Sequence, residues 1–216
     1  MHISTGSKAL DILLGGGVKT GLLTDIYGPS GSGKSQLCFT LCANCVQMKN
    51  KACFIDTVGT FRPERIAEIG GDTNVLDSIT VIRALNTEDQ IAAIDKAADS
   101  DANLVIVDSL TSLFSAEYAG PSRHLAVMNH LHRLALLAIN AHCAVITTNM
   151  VRAVPQEDGS GIEREYLSST VSIQAHVRLK FMIENAIKSS YRATRIQPPG
   201  GFARFSISSS GIHDTD

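Results

Sequence analysis

The residues with the clearest chemical potential are Gly28-Pro29-Ser30-Gly31-Ser32-Gly33-Lys34-Ser35. Glycines at the first and sixth positions, followed at once by Lys and Ser, form the pattern of a phosphate-binding loop, in which backbone amides converge on phosphate oxygens. In such a loop Lys34 reaches the β and γ oxygens, and the Ser35 hydroxyl ligates magnesium. Gln36 follows directly and is grouped with the loop as a nucleotide contact. The bland alternative is a Gly-rich turn. It leaves unexplained why Lys-Ser stands in register between an apolar strand and a helical segment.

A magnesium ion at this loop needs a carboxylate at the end of a neighbouring strand. Leu104-Val105-Ile106-Val107-Asp108-Ser109 supplies one after four apolar residues. Asp108 is therefore read as the second metal ligand and, with Lys34, as a catalytic group. Asp-Ser at a strand end also suits a helix cap; beside a phosphate loop the metal role is preferred. The implied ligands are a nucleoside triphosphate and Mg2+.

Positioning these groups requires an α/β scaffold, and the sequence provides its pattern. Apolar runs at 22–27, 52–56, 79–82, 104–107 and 144–148 alternate with segments of helical period, which predicts a mainly parallel sheet flanked by helices. Helices are expected over 35–48, from Pro63 with Thr60 as cap, over 87–98 with Thr87 as cap and Gln90 at the capping-box position, and over 122–141. In the last of these Leu125, Met128, Leu131, Leu134 and Leu137 recur every three residues, with Val127 and Ile139 widening the stripe. Residues 152–170 are polar and without period, which predicts a long mobile loop. Alternation around 177–183, 193–196 and 203–207 predicts antiparallel hairpins closing one edge.

Composition narrows the partners. Lys and Arg number 19 against 21 Asp and Glu, for a net charge of -2, so no global positive field draws the chain to nucleic acid or anionic lipid. The start carries no signal-peptide pattern and no apolar run reaches membrane-spanning length, which points to a cytoplasmic protein with no membrane partner. Cys38, Cys42 and Cys45 fall at helical spacing and, with Cys53 and Cys143, read as reduced packing residues rather than metal ligands. His124, His130 and His132 read as solvated or core-edge residues without chemistry.

Taken together, these motifs resemble the RecA-type recombinases, in particular their archaeal RadA and RadB branch. Further likeness lies in Thr5-Gly6-Ser7-Lys8-Ala9-Leu10-Asp11 with Gly15-Gly16-Gly17, in Phe61-Arg62-Pro63-Glu64-Arg65-Ile66, in Asp108-Ser109-Leu110-Thr111-Ser112-Leu113-Phe114 with Glu117-Tyr118-Ala119-Gly120, and in Thr148-Asn149. The resemblance implies a RecA-like P-loop NTPase core that acts with ATP on DNA in homologous recombination. It places Arg65 where relatives pack an arginine on adenine, and Ala116 to Gly120 at the entry to a first DNA loop.

Two positions depart from that pattern. Relatives carry a glutamate that positions the attacking water where this chain reads Asp56-Thr57-Val58-Gly59, and a glutamine that reads the γ-phosphate where it reads Thr148-Asn149-Met150. Neither Val58 nor Met150 can do that work, so binding is expected to survive better than turnover.

The 152–170 loop sets Arg152 and Arg164 against Glu157, Asp158, Glu163 and Glu165 and so repels phosphate. Basic residues gather at Arg178, Lys180, Lys188, Arg192, Arg195 and Arg204, where weak DNA binding is expected, with solvated strand faces as the bland alternative for half of them. The likeness starts at Ile3, so a single domain over 1–216 is expected, without the N-terminal helical domain and polymerisation linker of full-length recombinases. The reading is a RadB-like paralogue that works with DNA, a full-length RadA-type recombinase or another paralogue. The alternatives are a nucleotide-gated protein-interaction module and a KaiC-like signalling ATPase.

Overall fold

The computed structural model describes residues 1–155 and 161–215, with backbone alone for 153–155 and 161–164. The chain opens with β1 (His2–Ile3), α1 (Lys8–Leu14) and β2 (Val18–Lys19), where β1 and β2 form a small antiparallel ribbon. Then come β3 (Leu23–Gly28), α2 (Lys34–Gln47), β4 (Ala52–Asp56), α3 (Pro63–Gly70), β5 (Ile79–Arg83), α4 (Thr87–Asp99) and β6 (Leu104–Asp108). The second half holds α5 (Ser112–Glu117), α6 (Gly120–Asn140), β7 (Ala144–Pro155), β8 (Gly161–Glu165), α7 (Ser168–Gln174), β9 (Val177–Asn185), β10 (Ser190–Gln197), β11 (Phe202–Ser208) and β12 (Gly211–Asp214).

The main sheet has the order β12-β11-β10-β9-β3-β7-β6-β4-β5, with β8 paired to β7. From β9 across to β5 neighbours run parallel, and from β9 out to β12 they run antiparallel. This is the mainly parallel α/β sheet with an antiparallel C-terminal edge that the sequence predicts. Strands β4 and β6 read as unbroken apolar runs because they are buried on both faces. Ala52, Phe54, Leu104 and Ile106 point into one core with α1, α2 and α3, while Cys53, Ile55, Val105 and Val107 point into the other with α4 and α6. All five cysteines are buried free thiols, and burial raises each above its ordinary range.

Several local expectations are corrected. Thr60 does not cap α3: Arg62 holds the cap position, and the turn before it is tied by Asp56, which accepts from the backbone amides of Val58, Gly59, Thr60 and Phe61. Asn86, not Thr87, caps α4 by accepting from the Asp89 amide, while Thr87 and Gln90 turn inward to Glu117 and to the Leu110 carbonyl. On α6 the exposed Leu125 and Ile139 leave the stripe, and His130 and Ala135 join it. Residues 152–170 are not one irregular loop, because β7 continues to Pro155 and pairs antiparallel with β8 before α7 begins. Glu157 and Asp158 lie outside the described residues, as do the side chains of Glu163 and Arg164.

Candidate nucleotide and nucleic-acid sites

The phosphate loop leaves the end of β3 and turns into α2. A side chain at Gly28 would run into the Phe181 carbonyl, and Gly33 takes φ 92°, with space for a Cβ closed by Ile207 Cδ1 at 2.8 Å. These two glycines let the loop pass under β9 and β11 with its amides free of side chains. Gly33 sits at the cap position of α2 with no side-chain cap, so the first amides of that helix point into the loop. Ser32 Oγ is buried there with no partner among the described residues.

Lys34 extends over the loop, where Nζ donates to the carbonyls of Gly28 at 2.8 Å and Pro29 at 2.9 Å. Burial pulls its pKa below the ordinary lysine value, and the charge of Asp108 pushes back. Ser35 Oγ donates to Asp108 Oδ2 at 2.7 Å. Strand β7 lies between β3 and β6, and its Thr148 hydroxyl donates to the other oxygen, Asp108 Oδ1. The carboxylate is thus fixed between two hydroxyls, 4% exposed at the end of its strand.

The residues present fit a magnesium ion. A hydroxyl and a carboxylate are hard oxygen donors of the kind that cation takes alongside phosphate oxygens, and they already lie within hydrogen-bonding distance of each other. The buried Ser32 hydroxyl, with no partner among the described residues, and the glycine-lined cradle fit phosphate groups beside such an ion.

A cavity of about 550 Å³ continues from Ser30, Gly31, Gly33, Lys34, Ser35 and Gln36 to Arg65. Its far wall is Tyr191, Ile207, Ser208 and Ser209, which the sequence reading did not single out. They come from the C-terminal hairpins, too distant in sequence to be linked to the loop by any local signal. Val58 and Met150 are 41% and 47% exposed and hold no polar group at their side-chain ends.

A second cavity, of about 690 Å³, opens where Tyr27, Arg123, His124, Arg152, Tyr166 and Lys180 meet. The Arg123 and Arg152 guanidinium carbons lie 5.7 and 5.6 Å from the centre of the Tyr166 ring, within cation–π range. Arg178, 5% exposed, is paired with the buried Glu165 and lies 5.5 Å from the Tyr27 ring. Behind it Asp25 is wholly buried on β3 and accepts from Thr147 Oγ1 at 2.7 Å; burial raises its pKa to about 6, opposed by that hydrogen bond and by Arg178. Sequence reasoning missed Arg123, Tyr27 and Tyr166.

Several of the C-terminal basic residues are engaged by the protein. Glu184 accepts from Arg192 Nε at 2.5 Å and from Arg204 Nε at 2.7 Å, and both guanidiniums flank the Phe202 ring. Those arginines hold Glu184 below the usual carboxylate range, Arg204 foremost. Arg195 donates to the Leu13 carbonyl at 2.8 Å. Among the described residues Lys180 and Lys188 make no ion pair. Also among the described residues, no helix is long and apolar enough to cross a membrane.

A mixed sheet of this order, with a glycine-rich loop between its central strand and a buried helix and an acidic strand end beside it, defines a RecA-like α/β core. Comparison with known proteins agrees. The Rad51 family model matches residues 1–215, and the chain belongs to that family. It is 39% identical to the DNA repair and recombination protein RadA of Metallosphaera sedula, an alignment that covers 99% of this chain and 72% of that protein. The proteins of the same name from Cenarchaeum symbiosum and Aeropyrum pernix are 33% and 42% identical over 99% and 71% of this chain. The alignments span 59% and 54% of those two proteins.

Proposed function

We propose that this chain binds Mg·ATP in the cradle from Gly28 to Ser35, hydrolyses it slowly, and uses the bound nucleotide to act on DNA in repair and recombination. The observation that carries the reading is the 2.7 Å contact between Ser35 Oγ and Asp108 Oδ2, which brings loop and strand end to one point. Bound magnesium would supply neutralisation of charge on the phosphate oxygens. Around it, the amides of the loop orient the phosphates, Lys34 turns from the Gly28 and Pro29 carbonyls to the β and γ oxygens, and Arg65 and Gln36 meet the nucleoside. Val58 cannot deprotonate or aim a water, and Met150 cannot report the γ-phosphate to β8. This pattern supports the role of a paralogue that assists a RadA-type recombinase.

For DNA, the support lies in the cavity between Arg123, Arg152, Tyr166 and Lys180. Cations there flank aromatic faces, an arrangement suited to phosphodiester and base together. The test is titration of a fluorescent single strand at low and moderate salt, with and without Mg·ATP. Salt-sensitive binding that is lost when Arg152 and Lys180 are both changed to Ala supports the reading. Binding unchanged in that variant refutes the assigned surface.

A nucleotide-gated interaction module with no DNA role is the second reading. It is favoured by Glu184, which engages two of the arginines once expected to meet DNA. Absence of DNA binding even at low salt, together with intact ATP binding, would select it.

A further inference from the structure

Beneath the cavity lined by Arg152, Tyr166 and Lys180, one buried cation serves two buried carboxylates. Arg178 is the register partner of Asp25 across the β3–β9 pair, yet its Nη2 donates to Glu165 Oε2 and, at 2.9 Å, to Ser168 Oγ. Asp25 keeps one hydrogen bond, from the Thr147 hydroxyl to Oδ1. Its Oδ2 and Arg178 Nε are both buried with no partner among the described residues. When Asp25, Glu165 and Arg178 are all charged, this floor carries one net negative charge, and the oxygen left without a donor belongs to Asp25. Such an oxygen is strongly disfavoured as an anion and tolerated as a neutral carboxyl. Burial accordingly raises the Asp25 pKa to about 6, against the pull of Thr147 and Arg178.

The link from this floor to the cavity is short. Tyr27, two residues along β3 on the same face, and Lys180, two residues along β9, are register partners, and both line the wall. Glu165 and Ser168, the two groups that Arg178 holds, line it as well. Further titratable or charged groups come from Arg152 on β7, from Arg123 and His124 on α6, and from His176 ahead of β9, whose Nδ1 accepts from the Leu23 amide at 3.0 Å. A phosphodiester settling among the wall cations brings negative charge over the floor through a medium of low dielectric. It raises the affinity of Asp25 for a proton, and a proton on Asp25 raises the affinity for the phosphodiester by the same factor.

We infer that binding of a DNA strand in this cavity is accompanied by uptake of a proton at Asp25, so that the chain holds DNA more tightly as the medium acidifies. The inference rests on the reading of this cavity as the DNA site. The proton comes from solvent and binds Oδ2, while Oδ1 keeps its bond from Thr147 and Arg178 stays with Glu165.

The experiment is calorimetric titration of the whole chain with oligothymidylate at about pH 6.5, in two buffers that differ in ionisation enthalpy, where the difference in heat counts the protons exchanged. Thymine itself has no group that titrates near that pH. If the bound strand lifts the Asp25 pKa by about one, about half a proton is taken up per strand, and affinity rises by up to about tenfold from about pH 8 to about pH 5. Asp25→Asn, shown to be folded by its melting curve, is expected to take up no proton and to hold the acid-side affinity at every pH. His124→Gln, which removes the imidazole of the wall, is expected to keep the uptake. Binding without proton uptake in the native chain overturns the inference whatever the variants do. Uptake that persists in folded Asp25→Asn, or that is lost in His124→Gln, assigns the proton elsewhere and overturns it too. Failure of the strand to bind at any pH overturns the assignment of the cavity to DNA, and the inference with it.

Discussion

Ser35 Oγ and Asp108 Oδ2 lie 2.7 Å apart although 73 positions separate them in the chain. The contact forms because β3 and β6 flank the same strand, β7, and both run parallel to it, so that their C-terminal ends emerge on the same side of the sheet. Thr148 of β7 completes the arrangement by donating to the opposite oxygen of Asp108. A carboxylate held in this way has its position fixed before any cation arrives, which is the condition for tight binding of a small, geometrically demanding ion.

Asp108→Asn retains the shape and one acceptor oxygen but removes the charge. Nucleotide affinity in magnesium is expected to fall by about tenfold or more, toward the affinity measured in a chelator. Calorimetry with and without Mg2+ checks this. An undiminished magnesium effect in the variant would show that Asp108 is not a ligand.

Lys34→Ala removes the one flexible cation of the cradle. A hydrogen bond to a charged group contributes about 1.5–3 kcal/mol, so the affinity for Mg·ATP is expected to drop by roughly 10- to 100-fold. A fluorescent ATP analogue gives the direct readout, and a melting curve of the variant separates loss of binding from loss of fold.

Val58→Glu places a carboxylate where the resemblance to RecA-type recombinases implies one. Val58 is already 41% exposed, so the substitution buries no new charge. Turnover is expected to rise by at least about tenfold, within the range of about 10²–10⁴ that a general base can contribute. Phosphate release under saturating Mg·ATP measures it, and an unchanged rate would show that Met150 or another step limits hydrolysis.

His130 makes stability depend on pH. It is 2% exposed, packs on Phe114 and faces Gln90, and burial lowers its pKa to about 3, with the charge of Arg133 adding to the effect. Below about 6.5 the unfolded chain takes up a proton that the folded chain refuses, so stability decreases as pH falls from there toward 3. Between about pH 6.5 and 4.5 this loss amounts to roughly 2 kcal/mol. His130→Phe preserves a ring against Phe114 and should flatten that part of the profile in urea denaturation. An equally steep profile in the variant would assign the dependence to other groups.

The parts of the fold that could be read in the sequence are those in which local pattern and tertiary role coincide. Strands β4 and β6 are apolar up to their terminal aspartates because both faces are covered, and the loop from Gly28 to Ser35 is legible because its backbone demands glycine at fixed positions. The α6 stripe was misread for a geometric reason: steps of three residues rotate backward by about 60° each, so a strict run from Leu125 to Leu137 circles the helix instead of following one face. Asn86 and Thr87 are both competent caps, and only the distant Glu117 carboxylate, which accepts from the Thr87 amide and hydroxyl, decides between them. Pairing of Arg178 with Glu165, or of Glu184 with two arginines, depends on strand neighbours that charge counting does not reveal. The far wall of the nucleotide cavity was hidden for the same reason.

Burial of every native thiol gives the chain a practical property. Maleimide dyes attack thiolates, and none of Cys38, Cys42, Cys45, Cys53 and Cys143 offers one to solvent. Ile187, in the turn between β9 and β10, is 97% exposed, so Ile187→Cys would give a single attachment point for a fluorophore. The chain could then carry a reporter for real-time spectroscopy without first being stripped of its own cysteines.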